Sequence, residues 1–179
     1  MNLDSVKKLM YDQDFREAEK LLQNSLKIEK DKFMIFYFLG LVYFELRILE
    51  KSIQFFKKSL EIRPDNISVY LKLAVLYQTT GDTELSKKNY LKIIELDKNQ
   101  IRSYYGLYQL KPKFLKEEYH EQIKKISLSS KENSIELAIS KFLLSKFQMS
   151  KDKFKEELTL LEDAHKIMFN SNLQYNNQS

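Results

Sequence analysis

Small and large hydrophobic positions recur along this chain with a period of 34 residues. A small residue is followed four positions later by a large one, and both columns repeat: Ala18, Ser52 and Ser86; Leu22, Phe56 and Tyr90. A second pair of columns repeats in the other half of each period: Phe36, Tyr70 and Tyr104; Leu39, Leu73 and Leu107. Several columns with one period predict an internal structural repeat.

Each period has the helix-end signals of two helices joined by a turn. Pro64 can end one helix, and Asp65 or Asn66 can cap the next. Gly81 is suited to the position just after a helix and Asp82 to the N-cap that follows. Two pairs have the spacing of a capping box: Asp14 with Glu17, and Asn133 with Glu136. The repeated unit is therefore predicted to be a helix–turn–helix.

The second unit reads Phe36-x2-Leu39-Gly40-x2-Tyr43, then Ser52-x3-Phe56 and Pro64. This pattern resembles the tetratricopeptide repeat, with Phe in the usual Trp position and Ser in the usual Ala position. The resemblance spans most of residues 1–171 and implies an all-α, right-handed α-solenoid of about five repeats and ten helices. The implied units are about 1–32, 33–66, 67–100, 101–137 and 138–171, followed by a polar tail at 172–179.

The fourth unit is degenerate. Gly106 lies two positions early for the repeat, and Pro112 should stop the first helix short. We expect a helix over about 116–128, then a final pair over roughly 134–149 and 152–169, with residues 171–179 frayed or disordered.

Composition agrees with this interpretation. The chain has only 3 Gly and 2 Pro, too few for the many turns of a β-protein, and no Cys for disulfides or thiolate metal sites. The net charge of +5 comes mostly from Lys that alternates with acidic residues, which favours a solvated surface over a nucleic-acid site. The apolar run from Phe33 to Phe44 is too short to span a bilayer, and the first residues do not resemble a signal peptide. We expect a cytoplasmic protein that binds neither membrane nor nucleic acid.

Stacked helix pairs leave a concave groove, and helical spacing selects the residues that should line it. These are Met34, Tyr37, Leu41, Phe44, Leu71, Val75, Arg102 and Tyr105. The helix at 33–44 is apolar on every side, so two interpretations stay open. Either the groove binds a partner peptide or helix, or the chain's own terminus or a second copy of the protein covers it. We favour a partner, which includes a second copy in a homodimer. Tetratricopeptide repeats that grip C-terminal carboxylates use Lys and Asn in this groove, and the matching positions here are apolar or aromatic.

We find no residues arranged for catalysis. His120 and His165 are far apart in the sequence and neither has a second His at metal-ligand spacing. The three glycines, Gly40, Gly81 and Gly106, cannot form a phosphate-binding loop. The prediction is a non-catalytic protein–protein interaction scaffold that needs no cofactor or metal.

A narrower resemblance suggests an alternative. Residues 104–107, 142–146, 154 and 161–165 resemble the last repeats upstream of the catalytic domain in bacterial tetratricopeptide-containing sulfotransferases. That resemblance implies a module that positions substrate or partner for an enzyme. The donor-binding loop of that family, of Pro-Arg-Ser-Gly-Thr type, is absent, since Pro64 and Pro112 are followed by Asp65 and Lys113.

Overall fold

The computed structural model describes residues 3–149, 151 and 153–176, with side chains up to Asn170. Within these residues the chain forms ten α-helices, two short 3₁₀ helices and no strand. The α-helices are α1 Leu3–Tyr11, α2 Phe15–Ser25, α3 Phe33–Glu45, α4 Leu49–Ile62, α5 Ile67–Thr79, α6 Thr83–Leu96, α7 Ile101–Leu110, α8 His120–Ser129, α9 Ile135–Met149 and α10 Phe154–Asn176. The predicted all-α fold class with ten helices is confirmed.

The helices form two compact units. The first comprises Met1–Asn89 and the second Tyr90–Ser179, so the division falls within α6. Each unit has its own hydrophobic core and is described below by itself.

Close helix packing in the first unit depends on the predicted small residues. A Cβ on Gly40 of α3 would lie 2.7 Å from Cε1 of Phe56 on α4, so only glycine leaves room for this buried ring. The hydroxyl of Ser52 donates a 2.7 Å hydrogen bond to the carbonyl oxygen of Gly40. Ser86 makes the same 2.7 Å bond to the carbonyl of Ala74, one period later. Serine in the alanine position thus joins the two helices of a pair as well as allowing them to approach.

The turn inside each helix pair of the first unit also repeats every 34 residues. Gln13, Arg47 and Gly81 have positive φ values of 61°, 60° and 82°. The next residue donates its N–H to a carbonyl five positions back, at 2.8, 2.9 and 2.8 Å, as in a Schellman motif. The predicted caps follow: Asp14 accepts from the N–H of Glu17 at 3.3 Å, and Asp82 from that of Leu85 at 3.0 Å. Backbone conformation, and not only packing, therefore follows the sequence period.

The second unit is less regular. Helix α7 ends at Leu110, two residues before Pro112, as expected for a residue that cannot donate a helical hydrogen bond. Two 3₁₀ helices, Pro112–Phe114 and Glu117–Tyr119, then lead into α8. Helices α7, α8 and α10 all pack against α9. Here too a glycine admits an aromatic ring, because a Cβ on Gly106 would lie 2.3 Å from Cζ of Tyr90.

Three predicted helix ends were wrong. The helix expected from residue 116 begins only at His120, after the 3₁₀ turn. Asn133 is not an N-cap, since its φ is 57°; Ser134 caps α9 instead and accepts from the N–H of Leu137 at 3.2 Å. Helix α10 continues to Asn176, past the expected end near 169, and residues 177–179 of the predicted tail lie outside the described residues.

Candidate functional site

Three of the predicted groove residues contribute largely to packing. Met34, Tyr37 and Leu41 are partly buried and contact the hydrophobic clusters of the first unit. The ring of Tyr37 lies 6.4 Å from that of Phe33 and 5.9 Å from that of Phe56, between ring centroids. This burial raises the pKa of Tyr37. One face of the apolar α3 is thus covered by its own unit.

A cavity opens beside the other predicted residues of the first unit. It has a volume of about 260 Å³, and its wall includes Phe44, Leu71 and Val75, all selected from helical spacing. Phe56, Lys72 and Leu76 complete the lining and were not predicted. Val75 is 39% exposed, so its methyl groups are accessible to a ligand. Lys72 follows Leu71 directly and lies three residues before Val75, so the helical spacing that selected Leu71 and Val75 passed beside it.

Two cations flank this cavity. Lys72 lines it directly, and the guanidinium carbon of Arg47 lies 5.9 Å from the ring centroid of Phe44, which is another lining residue. Neither cation has a carboxylate partner among the described residues, whereas other cations do, such as Lys20 with Glu17 and Arg63 with Asp31. The mouth of the apolar cavity therefore carries positive charge that the described part of the chain leaves uncompensated.

The last two predicted residues belong to the second unit. Arg102 is exposed and its guanidinium lies 3.8 Å from a carboxylate oxygen of Glu136. The ring of Tyr105 meets Phe142 edge to face at 5.7 Å. Tyr108 contacts the same ring at 5.6 Å. A role for Arg102 and Tyr105 in a groove stays a prediction.

His120 contacts an aromatic ring and a neighbouring carboxylate. The ring of His120 packs edge to face on Phe147 at 5.1 Å, and its Nδ1 lies 3.1 Å from Glu121. Nowhere in the described ranges do three or more His, Asp or Glu side chains form a group that could hold a metal ion. The described helices also include none with the length and apolar character needed to cross a membrane.

Comparison with known proteins agrees with the repeat geometry. A family model for the tetratricopeptide repeat matches residues 35–66 and 67–100. These two segments, 66 of the chain's 179 residues, resemble tetratricopeptide repeats. Each contains one of the Ser hydroxyls that bond across a helix pair, Ser52 in the first and Ser86 in the second. The cavity is built from both repeats, since Phe44 and Phe56 come from the first and Leu71 and Val75 from the second.

Solved structures show the same fold. A crystal structure of MamA has 16% sequence identity and a TM-score of 0.70, covering 93% of this chain and 96% of that one. YrrB, whose structure is described as a TPR protein with an unusual peptide-binding site, has 15% identity and a TM-score of 0.66, covering 97% of this chain and 88% of its own. BtubC from P. vanneervenii has 16% identity and a TM-score of 0.69, covering 93% and 78%. These likenesses confirm the predicted tetratricopeptide α-solenoid fold class.

A relative in sequence is the Sol locus transcriptional repressor of Clostridium acetobutylicum. It is 35% identical over 69 residues, which are 38% of this chain and 22% of that protein. The chain therefore matches only about a fifth of the length of this curated relative.

Proposed function

We propose that this chain is a non-catalytic interaction scaffold that binds a partner peptide or helix in the groove of its first unit. Tetratricopeptide repeats in general serve as protein-interaction scaffolds, and this chain contains two segments that resemble them, at residues 35–66 and 67–100. The observation that supports the proposal is the open apolar cavity beside Phe44, Leu71 and Val75. Met34, Tyr37 and Leu41 pack next to this cavity. A partner-binding role for Arg102 and Tyr105 of the second unit is proposed separately from this cavity.

The size and chemistry of the cavity favour a polypeptide ligand. At about 260 Å³ it is smaller than the roughly 300–1,000 Å³ of typical small-molecule sites, and it suits one large apolar side chain. An amphipathic helix presents such side chains at intervals of three and four residues. The uncompensated Lys72 and Arg47 add a preference for carboxylates near the anchoring side chain. A cytoplasmic location is part of the same proposal.

A peptide-display selection tests this function. We expect enriched peptides that combine an aromatic or aliphatic anchor with acidic neighbours. Val75→Asp should weaken binding of the enriched peptides at least tenfold, because a charged carboxylate would replace methyl groups in the cavity wall and would repel the acidic neighbours of the anchoring side chain. Leu85→Asp is the matched control, because Leu85 is also on the first unit and is exposed to a similar extent, 37% against 39%.

Circular dichroism must show that both variants keep the helix content and melting behaviour of a folded protein. If the Val75 and Leu85 variants bound the peptides equally well, the peptides would not bind in the groove beside Val75. Failure to enrich any peptide over the library background would count against a peptide-binding function as a whole.

A second candidate is a module that positions substrate or partner for a sulfotransferase. It is supported by the resemblance of residues 104–165 to the repeats upstream of such catalytic domains, including the irregular segment before α8. The reading frame around the coding sequence decides between the two. A donor-binding loop encoded downstream would support the second candidate, and an unrelated neighbouring gene would remove it.

A further inference from the structure

A second cavity of the first unit lies beside the turn that joins α1 and α2, and we call it the turn cavity. It has a volume of about 500 Å³, within the roughly 300–1,000 Å³ of typical small-molecule sites. Its lining comes from that turn and from the end of α3: Met10, Tyr11, Gln13, Phe15 and Glu45. None of these residues lines the cavity beside Val75, so the two cavities are distinct.

Two aromatic rings contribute to the wall of the turn cavity. Phe15, the first residue of α2, is partly buried against the hydrophobic cluster of the first unit. Tyr11, the last residue of α1, is 87% exposed, more than any other large hydrophobic side chain in the described part of the chain. The faces of such rings carry partial negative charge and attract cations. Met10 adds a polarizable thioether to the same wall.

The charge in the lining of the turn cavity is negative. Glu45 is the charged residue of the lining, it is exposed, and its carboxylate has no ion-pair or hydrogen-bond partner among the described residues. Tyr11 and Glu45 are also the last residues of α1 and α3, and the C-terminal ends of helices carry partial negative charge. A cation is therefore the ligand that complements this cavity.

The cations closest to the turn cavity in sequence are directed elsewhere or balanced. The guanidinium carbon of Arg47 lies 5.9 Å from the ring centroid of Phe44, which lines the other cavity. Lys8, in the last turn of α1, is exposed and lies outside the lining, and it is opposed by the two carboxylates of the following turn, Asp12 and Asp14.

Two further cations of this region have carboxylate partners on their own helices. Lys7 pairs with Asp4 at 3.6 Å, and Arg16 pairs with Glu19 at 3.3 Å. The carboxylate of Glu45 is therefore left to balance the charge of a ligand.

We propose that the turn cavity binds an alkylammonium group, in which a quaternary or primary ammonium is carried on an alkyl chain. The rings of Tyr11 and Phe15 contact the polarised carbon atoms next to the nitrogen, and the carboxylate of Glu45 balances the positive charge. Free small amines and lysine side chains both present this group, and separate probes distinguish them. The site differs from the peptide groove and does not depend on it.

Choline and its neutral isostere, in which carbon replaces the quaternary nitrogen, test the need for charge. Both have the same shape, so choline should bind at least tenfold more tightly because only its charge attracts the rings and the carboxylate. In proton NMR its methyl signal should move upfield on binding, since ring currents shield groups that lie over an aromatic face. Equal binding of choline and the isostere would overturn the proposal.

Substitutions of exposed residues locate the site without endangering the fold, which circular dichroism verifies. Glu45→Gln should weaken choline binding about tenfold, and Tyr11→Ala about fivefold, whereas Tyr11→Phe keeps the ring and should bind like the wild type. Glu50→Gln is the matched control, because it also removes an exposed carboxylate but lies outside the lining. Equal losses in Glu45→Gln and Glu50→Gln would show that only the overall charge matters, which would overturn the site.

Nα-acetyl-lysine amide identifies the source of the ammonium group. Tighter binding of this compound than of choline assigns the cavity to a lysine side chain of a polypeptide, and the reverse order assigns it to a free quaternary amine. Absence of binding by both probes would overturn the proposal. Glu45→Gln should leave binding of the displayed peptides unchanged, and Val75→Asp should leave choline binding unchanged, so the two proposals fail separately.

Discussion

The two units of this protein hold their helices together by different means. In the first unit a serine hydroxyl reaches from one helix to the carbonyl of its pair mate, from Ser52 to Gly40 and from Ser86 to Ala74. In the second unit the hydroxyls of Ser140 and Ser145 turn back to carbonyls of their own helix, at 2.7 Å each. There the pair α9 and α10 is joined by ion pairs, Lys141 with Asp163 and Lys146 with Glu157.

The difference shows what a regular repeat requires. A hydrogen bond across a helix crossing forms only where both backbones approach closely, and this requires a small residue at fixed positions on both helices. Ion pairs between long side chains tolerate a wider and less uniform spacing. The first unit accordingly keeps the 34-residue period in its turns and bonds, while the second accommodates a proline and two 3₁₀ turns.

The largest expected effect is the response of stability to alkali at one position of the repeat, which can titrate in the second unit but not in the first. Tyr104, in the second unit, is 1% exposed, and this burial, with the charges of Tyr119 and Asp97, raises its pKa to about 12. Phe36 occupies the same position of the repeat in the first unit and cannot titrate.

Below pH 10 the Tyr104 phenol is neutral in both the folded and the unfolded chain. The free energy of unfolding therefore does not depend on the ionisation of Tyr104 in this range and has its full value. Between pH 10 and about 12 the unfolded chain loses this proton first, and the free energy of unfolding should fall by about 2–3 kcal/mol. Urea unfolding of wild type and Tyr104→Phe at pH 9 and 11.5 measures this. The variant lacks the 3.0 Å bond to the carbonyl of Lys98, but its stability should depend less on pH. Parallel pH dependence in both proteins would contradict the prediction.

Substitution of Gly40 and Gly106 by alanine measures how tightly the helices of each unit are packed. Gly106→Ala should cost about 2 kcal/mol and Gly40→Ala about 1 kcal/mol, after a gain of roughly 1 kcal/mol in helix propensity. The order follows from the closer approach at Gly106, where the added Cβ would lie 2.3 Å from the Tyr90 ring, against 2.7 Å from Phe56. Thermal unfolding of both variants provides the measurement. A more stable Gly106→Ala would show that the Tyr90 ring moves aside at no cost.

Removal of a serine hydroxyl from each unit tests the contrast in hydrogen bonding directly. Ser52→Ala should lose about 0.5–1 kcal/mol, because it removes a buried bond between two helices. Ser140→Ala is the matched control: it is as deeply buried, at 0% exposure, but its bond lies within one helix. We expect no loss there, since alanine favours the helix. Equal losses of stability in Ser52→Ala and Ser140→Ala would contradict the proposed difference in hydrogen bonding between the two units.

The smallest single effect, that of Gln13→Gly, concerns the repeated turns of the first unit. Gln13 has a φ of 61° at the position where Gly81 has 82°. Gln13→Gly should stabilise the protein by about 0.5 kcal/mol, because relief of the left-handed conformation outweighs the greater freedom of glycine in the unfolded chain. Gly81→Ala should produce a loss of about 1 kcal/mol for the same reason. Chemical denaturation can measure both changes in the free energy of unfolding. If Gln13→Gly destabilised the protein, the turns at Gln13 and Gly81 would not be equivalent.

Sequence reasoning worked best where a local rule acts on a single residue. Pro112 ended α7, Gly81 adopted the left-handed conformation, and Asp82 capped α6, each for reasons that need no knowledge of the neighbours. It was less successful in the second unit, where it predicted Asn133 as the N-cap of α9. Asn133 instead has a left-handed backbone conformation, and Ser134 is the N-cap. Of the residues that line the cavity, it named Phe44, Leu71 and Val75 but not Lys72, because the helical spacing that it followed along α5 ran through Leu71 and Val75.

The sequence by itself determined the period, the helical class and the positions where two helices must approach closely, since these depend on side-chain size and on backbone preferences of individual residues. Only the tertiary structure decided which apolar residues of α3 are covered and which border an open cavity, and which charges lack a partner. Both Tyr37 and Phe44 are aromatic residues on one apolar helix, yet Tyr37 packs among neighbouring rings while Phe44 lines the cavity. Burial and charge compensation depend on residues distant in the sequence, so no local pattern contains them.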